Sequence, residues 1–356
     1  MAGELFMDDT KLDRHVEEVA RWRQGKWIAP IHMEVSLANV CNQKCTFCYI
    51  NWSHAKGLMP ADMATDLMRS AKRVGVKSTL IAGEGEPTLN PVYVEAIETC
   101  GEVGLDVAFN TNAVRMTEKE IERIMPHLSW VRCSVQGSNP ELYTKIHQVD
   151  EHHYKKAMKH IAYMATVRDR NNYDVKIGVQ QVQLAENAHD AYDLAKLARE
   201  LGADYYVIKP CHPHELNTNN YAATTGLVEQ YRNVLERAQE LNTDRFKVMI
   251  RWNFLKEASE PRTYHKCLGL PFIIQITAEG DIVTCYPWAT EGKHRYGSLR
   301  DRSLEDIVRS PEYRATWEWA RDNVNVHKCM PTCRQHNANK FLWWLTEESP
   351  AHLNFI

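Results

Sequence analysis

The sequence predicts an α/β fold in which parallel strands alternate with helices. Six short apolar or β-branched runs, the first at 31–37 and the sixth at 204–209, are separated by stretches of helical periodicity. Glycines such as Gly75 and Gly202 follow the helical stretches and mark helix ends. Strands joined through helices lie parallel in one sheet, so their carboxyl ends meet at one edge, where ligands bind.

The individual elements follow from the same patterns. The fourth helix carries a capping box, with Thr117 as its N-cap and Glu120 three residues later. The strands are expected at 31–37, 78–82, 105–109, 130–135, 175–182 and 204–209. The helices are expected at 11–25, 61–74, 92–103, 117–125, 151–170, 188–201 and 224–242.

The composition is that of a globular protein without a strong net charge. Of the 356 residues, 44% are hydrophobic and 25% are charged, and the net charge is −3. A chain with this balance has no general attraction to nucleic acid or to an anionic membrane. The sequence contains neither an apolar run of the ~20 residues that span a bilayer nor an apolar signal core at its acidic N-terminus. We therefore expect a cytoplasmic protein without a nucleic-acid or membrane partner.

The loop after the first strand carries three cysteines, Cys41, Cys45 and Cys48, with the aromatic residue Phe47 just before the last. Three thiolates on one loop can hold three irons of a cubane cluster, which normally takes four cysteine ligands. Because no fourth cysteine lies nearby in the sequence, one iron would stay open to a small molecule. A zinc knuckle and three unligated thiols are the alternatives, although zinc prefers four ligands in close pairs.

The spacing of these cysteines resembles the signature of the radical S-adenosylmethionine (SAM) superfamily. The resemblance implies a partial (β/α)6 barrel and a 4Fe-4S cluster on Cys41, Cys45 and Cys48, whose open iron binds SAM. It implies reductive cleavage of SAM to a 5'-deoxyadenosyl radical that takes a hydrogen atom from a substrate. It also implies an external one-electron reductant, such as flavodoxin or ferredoxin.

Other polar residues at the same edge resemble SAM contacts of that family. The segment Gly83-Glu-Gly-Glu-Pro87 is similar to its GGEP motif, but Glu84 stands where the motif has its first glycine. The resemblance implies SAM contacts at Gly85 and Glu86. Taken singly, these residues are also compatible with an ordinary turn, or with polar residues at a strand end whose hydrogen bonds are made within the protein. The further candidate SAM contacts are Tyr49, Asn112, Ser134, Gln136 and Gln180.

The loop after the sixth strand offers candidate catalytic groups. Cys211 is a candidate hydrogen-atom donor, and Lys209 or His212 could transfer a proton. The alternatives are a proline-rich surface loop and a histidine metal site. The remaining cysteines outside the two clustered sets, Cys100 and Cys133, are expected to be buried structural thiols.

A second set of cysteines follows beyond residue 262. Two β-rich runs flank a turn at Gly280, which predicts a hairpin. Four cysteines in two pairs can ligate every iron of a second cluster, or one zinc ion. Their order resembles the SPASM or shorter twitch extension, which implies a small C-terminal α+β iron-sulfur unit whose 4Fe-4S cluster accepts an electron. The predicted ligands are Cys267, Cys285, Cys329 and Cys333.

These patterns divide the chain into five expected segments. An N-terminal helical segment precedes the barrel, and the tail is expected to pack back on it. The boundaries are 1–30 for the N-terminal segment, 31–225 for the barrel, 226–262 for a connecting helix, 263–340 for the auxiliary-cluster domain and 341–356 for the tail.

The sequence favours a radical SAM oxidoreductase that acts on a small molecule. Our main expectation is oxidation of an alcohol carbon of a sugar or aminocyclitol, with the auxiliary cluster as electron acceptor. An epimerase using Cys211 is an alternative. A peptide-modifying maturase is a further alternative, disfavoured because the segment before the first strand is shorter than the peptide-recognition domain of such enzymes, although a separate protein could substitute. An iron-sulfur or zinc module that only binds a partner is the non-enzymatic alternative.

Overall fold

One ten-stranded sheet organises the molecule. The computed structural model describes residues 10–48, 57–211, 225–252, 260–330, 333–348, 351–352 and 354–355. The strands are β1 His32–Ser36, β2 Ser78–Ala82, β3 Asp106–Thr111, β4 Leu128–Ser134, β5 Lys176–Gln183, β6 Tyr205–Pro210, β7 Lys247–Ile250, β8 Ile273–Ile276, β9 Asp281–Val283 and β10 Arg295–Ser298.

Helices connect most of these strands. They are α1 Val16–Arg23, α2 Ala61–Val74, α3 Tyr93–Val103, α4 Glu118–Ile124, α5 Pro140–His147, α6 Glu151–Asn171, α7 Ala191–Glu200, α8 Thr225–Gln230, α9 Arg232–Gln239, α10 Leu304–Val308, α11 Pro311–Asn323 and α12 His336–Thr346. None of the described helices combines the length and apolar character needed to cross a membrane.

The sheet is largely parallel, as the sequence predicts, but it has more parallel strands than the six expected. The order is β10-β9-β8-β1-β2-β3-β4-β5-β6-β7, and every neighbouring pair from β8 to β7 is parallel. Strand β7 lies within 226–262, which was expected to form only a connecting helix. Strand β8 is an arm of the predicted hairpin, and it also pairs with β1.

The two faces of the sheet differ in chemistry because successive side chains point to opposite sides. One face packs against the helices in a continuous hydrophobic core. We call the opposite face, which carries Glu34, Arg132, Ser134, Gln180 and Lys209, the inner face. The core face includes Met33, Val35, Ile81, Phe109, Val131, Val179, Ile208 and Ile274.

The sheet is strongly curved. Strands β1 and β6 are five strand spacings apart, which would be ~24 Å in a flat sheet. Arg334 nevertheless forms an ion pair with Glu34 on β1 and also lowers the pKa of Lys209 on β6. The inner face is therefore concave, and the parallel strands form the partial barrel that the sequence predicts.

The C-terminal extension is a small α+β unit, as expected. Gly280 has a φ of +86° and forms the turn between β8 and β9, which pair antiparallel. Helix α12 packs with the N-terminal segment and with the start of the extension in a second hydrophobic cluster. That cluster contains Leu12, Val19, Ile28, Ile31, Leu268, Phe272, Ala338 and Leu342.

Candidate active site

The loop of Cys41, Cys45 and Cys48 is held by the end of helix α5. The backbone N–H of Lys44 donates to the carbonyl of His147 at 3.1 Å, and that of Thr46 donates to the carbonyl of Ile146 at 2.9 Å. The last carbonyls of a helix have no partner within the helix. The cysteine loop therefore satisfies these carbonyls and is fixed in return. Helix α5 was not among the helices that the sequence predicted.

His147 also contacts a predicted cluster ligand directly. Its Nδ1 lies 3.1 Å from the Sγ of Cys45. Burial, assisted by His153, lowers the pKa of His147 to about 3, so the ring is neutral. Its other nitrogen, Nε2, is buried without a hydrogen-bond partner among the described residues. A proton on Nε2 would be unsatisfied, so we place it on Nδ1, where it donates to the sulfur.

The three sulfurs of this loop influence one another. Burial raises the pKa of Cys45 well above its ordinary value, and negative charge on Cys48 and Cys41 raises it further. Among the described side chains, no three His, Cys, Asp or Glu groups are gathered around one point as a single metal ion requires. Thiolates that repel one another are stabilised by a bound cationic centre, and the donor set therefore fits an iron-sulfur cluster.

The segment Gly83–Pro87 packs directly on the chain that leads into the cysteine loop. A Cβ at Gly85 would lie 2.2 Å from the carbonyl oxygen of Val40, and Gly83 has a φ of +115°. The N–H of Glu86 donates to that same carbonyl at 2.9 Å. Glycine is thus required at Gly85 for this close approach between two backbones.

The carboxylate of Glu86 is engaged by the protein itself. It accepts hydrogen bonds from Thr111 Oγ1 at 2.6 Å, from the N–H of Asn112 at 2.7 Å and from the N–H of Thr88 at 3.1 Å. Burial raises its pKa. Glu86 therefore ties the segment after β2 to the end of β3.

Two other predicted SAM contacts also stabilise the mouth of the barrel. Asn112 Nδ2 donates to Asn42 Oδ1 in the cysteine loop at 2.7 Å. Gln136 is fully buried, its Oε1 accepts from the N–H of Val182 at 2.7 Å, and its Nε2 has no partner in the described part of the chain. An amide with an unused buried donor is suited to a ligand acceptor.

Ser134 and Gln180 face each other across the β4–β5 pair. Gln180 Oε1 lies 3.5 Å from Nη1 of Arg132, which donates to it. The structure thus brings these two predicted contacts together on the inner face. Tyr49, the remaining predicted SAM contact, lies outside the described residues.

Lys209 and Cys211 lie at the same mouth, where β6 ends. Burial and three nearby arginines, Arg334, Arg132 and Arg251, lower the pKa of Lys209 to about 7. Burial raises the pKa of Cys211 to about 11, so the thiol is protonated at neutral pH. Cys211 is buried in an apolar cluster that includes Phe47 of the cysteine loop. The candidate His212 lies outside the described residues.

The four C-terminal cysteines form a second interacting set. Burial raises the pKa of Cys285 well above its ordinary value, and Cys333, Cys267 and Cys329 raise it further. Asn339 Nδ2 donates to the Sγ of Cys267 at 3.6 Å. Such a donor stabilises a ligand sulfur that carries negative charge. The set therefore fits a cluster with all four ligands supplied by the protein.

This second set is anchored on strand β1. Arg334, which directly follows Cys333, forms an ion pair with the buried carboxylate of Glu34. Tyr286, which directly follows Cys285, donates from its hydroxyl to the carbonyl of Glu34 at 3.2 Å. Strand β1 leads on to Cys41, so one strand supports both cysteine sets. Nothing in the alternating pattern of β1 signals this role for Glu34.

Glu84 forms a further connection between the two parts. Its carboxylate accepts a hydrogen bond at 2.9 Å from the N–H of Ala278, in the turn between β8 and β9. Nearby, Asn39 donates to Glu279 at 3.4 Å. The sequence shows Glu84 only as a departure from a glycine motif, whereas the structure gives this side chain a partner in the extension.

Comparison with known families agrees with this geometry. A model of the radical SAM superfamily matches residues 35–178, and a model of an iron-sulfur cluster-binding domain, SPASM, matches residues 267–335. The chain is a radical SAM protein with a C-terminal SPASM domain. The predicted cofactors are thereby confirmed as SAM, a radical SAM 4Fe-4S cluster and an auxiliary iron-sulfur centre.

Two curated relatives are similar to this radical SAM protein over most of its length. The tungsten-containing aldehyde ferredoxin oxidoreductase cofactor-modifying protein of Pyrococcus furiosus is 22% identical over 80% of this chain and 82% of its own. The PqqA peptide cyclase of Rhodopseudomonas palustris is 24% identical over 81% of this chain and 76% of its own.

Solved structures share the fold. SuiB of Streptococcus suis bound to SAM has a TM-score of 0.68 and 17% identity, covering 95% of this chain and 80% of SuiB. SuiB bound to its precursor peptide SuiA has a TM-score of 0.65 at 17% identity, covering 88% of this chain and 74% of SuiB.

Proposed function

We propose that this protein is a radical SAM enzyme that oxidatively modifies a peptide. The observation that carries the proposal is the anchoring of the second cysteine set on β1, beside the inner face. A cluster held there would be the electron acceptor. A substrate radical that loses a proton must also lose an electron to become an oxidised product. The names of the relatives, a peptide cyclase and a protein crystallised with a precursor peptide, support a peptide substrate.

We assign the two clusters to the two cysteine sets as part of this proposal. Cys41, Cys45 and Cys48 would hold the cluster that binds SAM, and the C-terminal cysteines would hold the auxiliary cluster. When bound, the first cluster and SAM supply the radical that abstracts a hydrogen atom. Glu86 and Asn112 fix the shape of the mouth around it, and His147 holds the Cys45 sulfur. Arg334 and Tyr286 keep the second set against β1.

The proposal departs from our main expectation from sequence. Oxidation of a sugar or aminocyclitol would use the same two centres, but the relatives are named for peptide and cofactor modification. The length of the segment before β1 does not weigh against a peptide substrate, because a separate recognition protein can deliver the peptide.

A second candidate function is radical epimerisation, favoured by one observation. Cys211 is a buried, protonated thiol at the mouth, packed in the same cluster as Phe47 of the cysteine loop. A thiol in that state can return a hydrogen atom to a substrate radical. Such a reaction removes no electron from the substrate, so it needs no electron acceptor. The thiyl radical left on Cys211 must then take up one electron and one proton, and the external reductant is the source of that electron.

Size-fractionated extract of the source organism tests the proposal. The organism is grown in deuterated medium, and the anaerobically reconstituted enzyme is incubated with SAM, a reductant and either the peptide or the small-molecule fraction. We expect 5'-deoxyadenosine that contains deuterium from the peptide fraction, and we expect protease treatment to abolish it. Deuterium transfer from the small-molecule fraction alone would contradict a peptide substrate.

A further inference from the structure

The turn of the β8–β9 hairpin lies against the loop that is predicted to contact SAM. We call this loop, residues 83–87, the motif loop. The carboxylate of Glu84 in the motif loop accepts a hydrogen bond from the N–H of Ala278 at 2.9 Å. Ala278 is almost completely buried and lies in the turn after β8. The related family motif has glycine in place of Glu84, and glycine has no side chain that could make this bond.

Two further contacts seat the turn at the mouth of the barrel. A Cβ at Gly280 would lie 2.7 Å from the Sδ of Met63 on α2, so glycine lets the turn approach this helix closely. The side chain of Asn39, which precedes the cysteine loop, donates to Glu279 at 3.4 Å. The turn therefore contacts α2, the motif loop and the chain that enters the cysteine loop.

Glu84 is also attached to the barrel through its own backbone. Its N–H donates to the Oγ of Ser36, the last residue of β1, at 3.2 Å. Burial raises the pKa of Glu84, and the hydrogen bonds with Ala278 and Ser36 lower it. A carboxylate in such a site is destabilised when it loses a donor. A displaced turn would therefore favour other conformations of the motif loop.

The second cysteine set lies at the other end of the hairpin. Cys267 precedes β8, and Cys285 follows β9. Strands β8 and β9 pair antiparallel, with Ile276 opposite Ile282 beside the turn. A cluster bound by these cysteines would fix the base of the hairpin, while Glu84 holds its turn. The hairpin is thus a short, direct connection between the auxiliary cluster and the motif loop.

We propose that Glu84 is a positioning residue that couples SAM binding to assembly of the auxiliary cluster. With the hairpin fixed at its base, the turn holds Glu84, and the motif loop keeps the conformation that binds SAM. Without that constraint the motif loop populates other conformations, which lowers the SAM affinity. An enzyme that has not yet assembled its electron acceptor therefore binds SAM weakly. The inference concerns only SAM and the clusters, so it does not depend on a peptide substrate.

Calorimetric titration with SAM under anaerobic conditions tests this coupling. The reconstituted enzyme is compared with the double variant Cys329→Ala/Cys333→Ala, which removes two ligands of the auxiliary cluster and leaves the hairpin sequence unchanged. We expect this variant to bind SAM at least about fivefold more weakly, the lower end of typical coupling between two sites. In a Glu84→Ala background, the same pair of cysteine changes should alter the affinity by less than about twofold, because the two sites then no longer share a contact.

A conservative substitution separates the hydrogen bond from the charge of Glu84. Glu84→Gln should retain the coupling, because its amide oxygen can accept from the same N–H. Glu102→Ala, on the exposed surface of α3, is the control and should retain the coupling as well. Glu84→Gly, which carries the glycine of the family motif, repeats the test if Glu84→Ala does not assemble its first cluster.

The remaining outcomes overturn the proposal. An equal loss of SAM affinity with and without Glu84 would show that the auxiliary cluster acts by another route. No loss in the double cysteine variant would show that SAM binding is independent of the auxiliary cluster. Loss of the coupling in Glu84→Gln would show that the hydrogen bond does not transmit it. Iron content, expected at about four per chain in the double cysteine variant, confirms that the first cluster is intact.

Discussion

At the scale of single residues, the contacts that shape the site join positions far apart in the chain. Cys45 and His147 are separated by 102 positions and lie 3.1 Å apart. The cysteine spacing predicts the ligands because all three lie on one loop. No local pattern predicts His147, since its role depends on how α5 packs beside that loop. No local pattern predicts the ion pair between Glu34 and Arg334 either.

The contact between His147 and Cys45 leads to a prediction for the radical SAM cluster. Hydrogen bonds to ligand sulfurs stabilise the reduced, more negative form of an iron-sulfur cluster. We therefore expect His147→Phe to shift its midpoint potential to a more negative value, as measured by a redox titration followed by electron paramagnetic resonance. His147→Gln, which can still donate an N–H, should restore part of the shift.

The matched control is His160→Phe. His160 is also buried and neutral, but its Nδ1 bonds to the carbonyl of Ala113 at 2.7 Å and not to a cysteine. The control should leave the potential unchanged. An unchanged potential in His147→Phe, with full iron content, would show that no such hydrogen bond acts on the cluster.

Cys211 distinguishes the two candidate reactions. In an oxidation the thiol transfers no hydrogen, so Cys211→Ala should retain product formation to within about twofold, a change worth under ~0.5 kcal/mol. In an epimerisation the same variant would still form 5'-deoxyadenosine but yield no epimer. Mass spectrometry of reactions in deuterated water measures both 5'-deoxyadenosine and the epimer. A solvent-exchanged thiol labels the epimer with deuterium. Cys100→Ala, which removes a buried thiol on α3, is the control.

At the scale of secondary structure, elements with strong end signals could be predicted best. Helix α2 coincides with its predicted range because Gly75 adopts the left-handed conformation at its end, with a φ of +105°. The capping box of Thr117 and Glu120 is confirmed at α4. Strand β7 has only four residues, and it pairs with the parallel edge of β6. Strand β7 cannot be predicted from its own sequence, because it depends on pairing with β6 in the folded protein.

The loop after β2 gives a prediction at this scale. Gly85→Ala would place a Cβ 2.2 Å from the carbonyl of Val40, so this loop and the chain entering the cysteine loop must move apart. We expect at least a tenfold loss of SAM affinity and a lower iron content after reconstitution. Gly292→Ala is the control, because a Cβ there meets nothing within 4 Å. Normal SAM binding by Gly85→Ala would show that the close packing is dispensable.

At the scale of the whole molecule, the extension forms one wall of the barrel mouth. Glu84 bonds to the turn after β8, Arg334 pairs with Glu34, and β8 itself pairs with β1. The sequence predicts both cysteine sets but does not show that one strand supports them. It also does not identify the substrate, because the inner-face side chains are single residues spread over many strands.

We infer that the C-terminal cysteines hold a second cluster that accepts the substrate electron. The most direct test is iron per chain in a variant with Cys41, Cys45 and Cys48 all changed to Ala, reconstituted without oxygen. We expect about four irons, the content of one 4Fe-4S cluster. Zinc in place of iron, or no metal, would contradict it and would make redox-neutral chemistry such as epimerisation the better account.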